Sequence, residues 1–179
     1  MPPQRRQAIA GLKYSQGLCL LRLGQAPSAD CVRLCQELAE QRINLVFAGG
    51  AFEAGGLGDA WLCLQEEHLP QVWRVARDLA GGGGGQLGGP EVIAPVALLT
   101  IYPRGPGLSL CGRIMTGLSG AGLTCLAMGT SLSALVVALP QDDLAKALES
   151  LLGLVELPAG QGPTAQPVQT MPVAKRSQS

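Results

Sequence analysis

Cys31–Asn44 reads CVRLCQELAEQRIN, and Cys111–Thr124 reads CGRIMTGLSGAGLT. At one constant offset Cys31 matches Cys111, Arg33 matches Arg113, Leu38 matches Leu118 and Gly49 matches Gly129. Further on, Leu64-Gln-Glu-Glu-His-Leu69 faces Leu139-Pro-Gln-Asp-Asp-Leu144, and Leu79 faces Leu154, at an offset shortened by the length of the glycine-rich stretch Gly55–Asp59. Register kept on both sides of an insertion at a turn is the pattern of two copies of one folded unit. The question is then what a pair of small modules does.

The chain has 179 residues. Two units of roughly 70 residues are each small for a self-sufficient core, so they are expected to pack on each other or on a second chain. Thirteen basic and 13 acidic residues cancel. That balance leaves no basic face for nucleic acid and no electrostatic membrane anchor. No apolar run approaches the roughly 18 residues needed to span a bilayer. The N-terminal MPPQRRQAIAGLKYSQ has two arginines but no apolar stretch adequate for a secretion signal. The expectation is a cytoplasmic protein. Its six cysteines, Cys19, Cys31, Cys35, Cys63, Cys111 and Cys125, form no C-x-x-C motif and read as reduced core thiols. With one histidine in the chain, neither a metal site nor a cofactor is expected.

Apolar spacing and turn residues place the elements. Ile9–Leu12 is a short apolar stretch and Gly17–Leu23 a buried strand. Gln25-Ala-Pro-Ser28 is a turn, with Ser28 as the cap of a helix that turns Cys31, Leu34, Cys35 and Leu38 inward. Ile43–Phe47 and Ala60–Leu64 are strands, and Glu66–Leu79 is a second helix. Gly81–Gly85 reads as a flexible connection, because a phosphate loop would need a strand before it and a helix after it. Glu91–Ile93 and Val96–Tyr102 are strands separated at Pro95, followed by a helix over Leu108–Gly120. A hairpin of Leu123–Met128 and Ser133–Leu139 turns at Gly129–Leu132. A last helix runs from Asp142 or Asp143 to about Leu152, and Leu154–Leu157 forms an edge strand. Each half thus reads β-α-β-β-α-β, an α+β fold of two ferredoxin-like units. Each unit has an antiparallel four-stranded sheet with helices on one face. The expected division is 8–93, 94–157 and a disordered tail over 158–179, rich in Pro, Gln and Ser. Strands apolar at nearly every position, as in LCLLRL and VALLTIY, imply that both sheet faces are partly covered.

These stretches resemble paired ACT domains, and in particular the C-terminal regulatory region of aspartate kinases without the kinase domain. Ala8–Tyr14 resembles the segment that enters that region. Gly122–Met128 stands where the family has a G-I-N-I strand, with Arg42-Ile-Asn44 as its first-unit counterpart. Gly129–Ser133 resembles the family's S-T-S-E turn, and Asp142–Leu151 its second helix. The chain departs from the family pattern at Gln25-Ala-Pro27-Ser28, which lacks the usual acid and Pro-Gly. It departs again at Leu132, where the family has glutamate, and at Ala48 or Gly49, where a polar ligand often follows the strand.

A strand running into a turn and a helix N-terminus offers backbone N–H groups to a carboxylate. In the first unit these groups span Ala26–Asp30, and in the second Gly105–Ser109. The candidate ligand-binding residues are Gln25, Ala26, Ser28, Asn44, Gly107, Ser109, Thr124, Thr130 and Ser131. Arg104 and His68 read as surface residues. The acid pairs Glu66-Glu67 and Asp142-Asp143 suit helix starts. Cys111 lacks a histidine base in its unit, so cysteine-nucleophile catalysis is not expected. The leading expectation is a non-catalytic, homodimeric sensor of an amino acid. The rival is a ligand-free structural subunit that dimerises or binds a metabolic enzyme.

Overall fold

The computed structural model describes residues 6–81, 90–105 and 107–168. The glycine run beyond Gly81 and the end of the tail lie outside them. The described part is a mixed fold with four α-helices and mostly antiparallel strand pairing.

The division into units differs from the expected succession. Residues 6–20 group with Ile93–Gln166, and Leu21–Val92 form the inserted unit, with which Pro167 and Val168 also group. Strand β1 (Gln7–Pro27) begins in the split unit and ends in the inserted one. The assignment of the N-terminal strand is not legible in the sequence, because it depends on a partner far along the chain.

The inserted unit continues from β1 with α1 (Ser28–Glu40), β2 (Leu45–Phe52), β3 (Leu57–Gln65) and α2 (Leu69–Gly81). β3 lies between β2 and β1. The hairpin runs in register from Leu45↔Leu64 to Phe52↔Gly58. Its turn is closed by Glu53 N–H to the Leu57 carbonyl at 2.8 Å and Gly56 N–H to the Glu53 carbonyl at 2.9 Å. Gly56 takes φ +78°, a conformation that favours glycine. The extra residues of this half therefore lengthen a hairpin. Leu34 and Leu38 of α1 are buried, as are Val72 and Ala76 of α2 and Leu62 and Leu64 of β3. Cys35 is exposed and Cys31 half-buried, contrary to the expected core thiols. Successive residues step 100° around a helix, so the 31/35 pair flanks the 34/38 stripe rather than joining it. Cys19 and Cys63, on strands, are fully buried.

The split unit adds β4 (Glu91–Pro103), α3 (Gly107–Gly120), β5 (Ala127–Thr130), β6 (Leu135–Pro140) and α4 (Leu144–Leu154). The strand order here is β1-β4-β6-β5. Two short strands, β7 (Val155–Glu156) and β8 (Thr164–Ala165), pair with β1 in parallel. Ile9, Leu12, Leu99, Ile101, Leu110, Ile114, Leu118, Val137 and Leu151 share one core. Burying each such side chain contributes about 1.5–3 kcal/mol. Val96 and Leu98 are buried as fully as Ala97 and Leu99, so both faces of β4 are covered.

The expected tail over 158–179 is ordered through its first half. Thr164 and Ala165 pair with Lys13 and Tyr14. Gln166 N–H donates to the Tyr14 carbonyl at 2.7 Å, and Ser15 Oγ donates to the Gln166 carbonyl at 3.0 Å. This partner also explains why β1 runs unbroken through residues 13–16, where the sequence suggests a gap. At Gly17 the backbone turns to φ +69°, and its N–H donates to Gln141 Oε1 at 2.7 Å.

Candidate functional site

The β1–α1 turn is built from Gly24-Gln25-Ala26-Pro27. Gln25 adopts φ +49°, and Pro27 holds an extended φ of −60° just before the helix. Ser28 is the first helical residue and not the cap. Pro27 occupies the cap position and makes no side-chain bond to the helix. The Ser28 N–H instead donates to the Gly56 carbonyl at 2.7 Å. The Gln25 N–H donates to Asp59 Oδ1 at 3.0 Å. Thus the hairpin turn and β3 close over the helix entrance.

Asp59 is the residue that sequence reasoning missed. The turn itself carries no acid, yet a half-buried carboxylate reaches it from β3. The only local signal is its place after the glycine-rich stretch. A carboxylate held there can accept from a protonated amino group as well as from the main chain.

Beside the turn, within the inserted unit, α1 and the β2–β3 hairpin border an open groove of about 570 Å³. Ser28, the helical residue that follows the turn, lines the groove. Cys31, Val32 and Cys35 form the helix wall, and Ala48, Gly50 and Phe52 the strand wall. Val32 is 56% exposed and Phe52 43%, unusual for side chains of their size. The Cys31 thiol is pushed up by burial first, then by the neighbouring Cys35 and Asp30; burial raises that of Cys35. Both are therefore held as neutral thiols at pH 7. Ala26 is fully buried. Asn44, half-buried before β2, does not line the groove.

In the split unit the expected residues do not converge on one cavity. Gly107 starts α3, and Ser109 in its first turn lines a cavity of about 380 Å³ with Arg113, Gly117 and Leu154. Thr124, Thr130 and Ser131 are exposed elsewhere. Ser131 serves its own turn: its Oγ accepts from Ala134 N–H at 3.1 Å, and its N–H donates to the Ala134 carbonyl at 2.8 Å. Such bonds are ordinary turn chemistry. The position matching Ala48 is Met128, whose Sδ lies 3.6 Å from Cys111 Sγ. A long side chain thus lies against the helix where the inserted unit leaves a groove open. Arg104 is exposed, and His68 Nε2 lies 3.7 Å from Glu67 Oε1.

Among the described residues no helix is long and apolar enough to cross a membrane, and no cluster of three His, Cys, Asp or Glu side chains is present. Neither a protein-family model nor a curated protein sequence matches the chain. Solved structures do. The regulatory subunit of aspartate kinase from Thermus flavus superposes with a TM-score of 0.70 at 14% identity, over 84% of this chain and 100% of that one. The ligand-free regulatory subunit from Thermus thermophilus gives 0.71 at 14% identity, with the same coverage. Aspartate kinase from Synechocystis gives 0.69 at 17% identity over 88% of this chain, but over only 29% of the enzyme. The chain therefore has the fold of aspartate kinase regulatory subunits, the resemblance its sequence suggests.

Proposed function

We propose that this chain is a non-catalytic regulatory protein of two ferredoxin-like, ACT-type units that binds a free amino acid in its inserted unit. The observation that carries the reading is the juxtaposition at Ser28. There a turn bearing the Asp59 carboxylate adjoins an apolar groove large enough for a small side chain. Asp59 would accept from the ligand's amino group, and the groove would take its side chain. The first-turn N–H groups of α1 would meet the ligand's carboxylate. Of the residues marked in sequence, Gln25, Ala26 and Ser28 belong to this arrangement. Asn44, Gly107, Ser109, Thr124, Thr130 and Ser131 stand as candidates for a separate contact surface. Likeness to regulatory subunits supports the class of function, and six free thiols suit a reducing cytoplasm.

A thermal-shift screen of the twenty amino acids and related intermediates tests this. Ligand at 100 times its Kd adds about 2.7 kcal/mol to stability. One clear hit, abolished by Asp59→Asn, is the expected result. A flat screen on folded protein overturns the sensor reading.

The second reading, a ligand-free subunit that dimerises or binds a metabolic enzyme, is favoured by a different observation. The Gln25 and Ser28 N–H groups are already satisfied by the chain itself, while Val32 and Phe52 stand exposed on one face. A homodimer by light scattering together with a flat ligand screen is its signature.

A further inference from the structure

Helix α3 differs from α1, its counterpart in the repeat, along one face. At the offset that matches Arg33 to Arg113, Ala29 matches Ser109, Asp30 matches Leu110, Val32 matches Gly112, Gln36 matches Thr116 and Glu37 matches Gly117. In α1, Arg33 Nη1 lies 3.6 Å from Asp30 Oδ1. In α3 that acid is replaced by Leu110, which is buried in the core, and no Asp or Glu occurs along the helix. Ser109, Arg113 and Thr116 follow one another at the four- and three-residue spacing of a single helix face. All three line the cavity of about 380 Å³. Gly112 opens that face, since a Cβ there would meet nothing within 4 Å. Gly117 lets Leu154 close one end, because an added Cβ would overlap the Leu154 Cδ1. Ser150 Oγ donates to the Gly117 carbonyl at 3.3 Å and ties α4 to the same end.

The lining thus offers one guanidinium, two hydroxyls and one apolar wall, and it contains no carboxylate. Arg113 already takes part in an interaction within the fold. Its guanidinium carries five N–H donors in a planar fork, which matches a carboxylate through two parallel bonds. A single positive charge balances a monoanion and leaves a dianionic phosphate ester half compensated. An amino acid would bring an ammonium group with no anion in the lining to meet it. We propose that this cavity binds a small monocarboxylic acid without an amino group, at a site separate from the groove of the inserted unit. The ligand's carboxylate takes the Arg113 fork, Ser109 and Thr116 donate to its remaining acceptors, and Leu154 covers its carbon chain. Helix α1 offers no such site. Val32 and Glu37 stand where α3 has its two glycines, and Arg33 faces its own aspartate.

The test is ligand-observed NMR on the full chain, by saturation transfer to butyrate and to 2-oxobutyrate, with the affinity read from the titration. Saturable binding of at least one acid is expected. Arg113→Gln should weaken it by about tenfold or more, the loss of a charge-assisted pair. Arg33→Gln should leave it unchanged. Because Arg113 also serves the fold, Gly112→Val supplies an independent variant. Its side chain is the one α1 carries at the matching position, and it would fill the cavity from the open face. It should abolish binding yet melt no lower than the parent, since glycine is the poorer helix former. Absence of saturable binding by both acids overturns the site. So does binding that survives Arg113→Gln or Gly112→Val. Displacement by equal concentrations of 2-aminobutyrate or inorganic phosphate overturns the ligand class.

Discussion

A methyl group at position 58 has nowhere to go. Gly58 pairs with Phe52 in the hairpin, and a Cβ there would overlap the Ala51 carbonyl oxygen and lie 2.7 Å from the Phe52 Cα. These are backbone atoms that cannot rotate away. Gly58→Ala should therefore destabilise the protein by about 3 kcal/mol, read as a lower urea midpoint. Gly117 makes a contrast. Its added Cβ would meet the end of the Leu154 side chain and no backbone atom of another element. At this scale the sequence was informative only about what a residue can do by itself. Pro27 and Gly56 announce their turns, because their allowed backbone angles are intrinsic. Ser28 reads as a cap and is not one, since the helix begins one residue early, with Pro27 in the cap position. Asp59 carries no local mark of its role, because its partner Gln25 lies on another strand.

Helices were legible as elements, and strands only as apolar runs. Leu34 and Leu38, or Leu110, Ile114 and Leu118, announce a buried stripe through the period of the helix itself. The ends of β1 and β4 do not announce themselves in this way. Pro95 breaks the pattern of residues 91–103 in sequence, yet the strand runs through it. The tail looked disordered by composition, yet Thr164 and Ala165 pair with Lys13 and Tyr14 of β1. Removing residues 158–179 should lower the melting temperature by about 2–4 °C, the equivalent of about 1 kcal/mol. An unchanged calorimetric melt would mean that the short β1–β8 pairing contributes nothing.

For the whole molecule, the decisive fact is that one strand serves two units. Ile9 and Leu12 sit in the core of the unit completed by Ile93–Gln166, although the entire inserted unit separates them in sequence. Residues 94–168 expressed alone should therefore lack cooperative unfolding by circular dichroism. They lose two core side chains worth about 1.5–3 kcal/mol each and a strand's hydrogen bonds, against a typical total of 5–15 kcal/mol. Joining residues 6–20 to that piece through a flexible linker should restore a cooperative melt. A cooperative melt of the bare piece would contradict the interleaving. The sequence by itself determined the four helices, the buried stripes Leu34/Leu38 and Leu110/Ile114/Leu118, the extra residues of the first hairpin and the likeness to kinase regulatory regions. These follow from local periodicity and from residues compared with their own repeat. Tertiary structure alone decided which unit claims β1, that the tail supplies a strand, and that Asp59 accepts from the Gln25 N–H in the β1–α1 turn. Strand pairing and such side-chain contacts join residues distant in the chain, and their geometry exists only once the chain has folded.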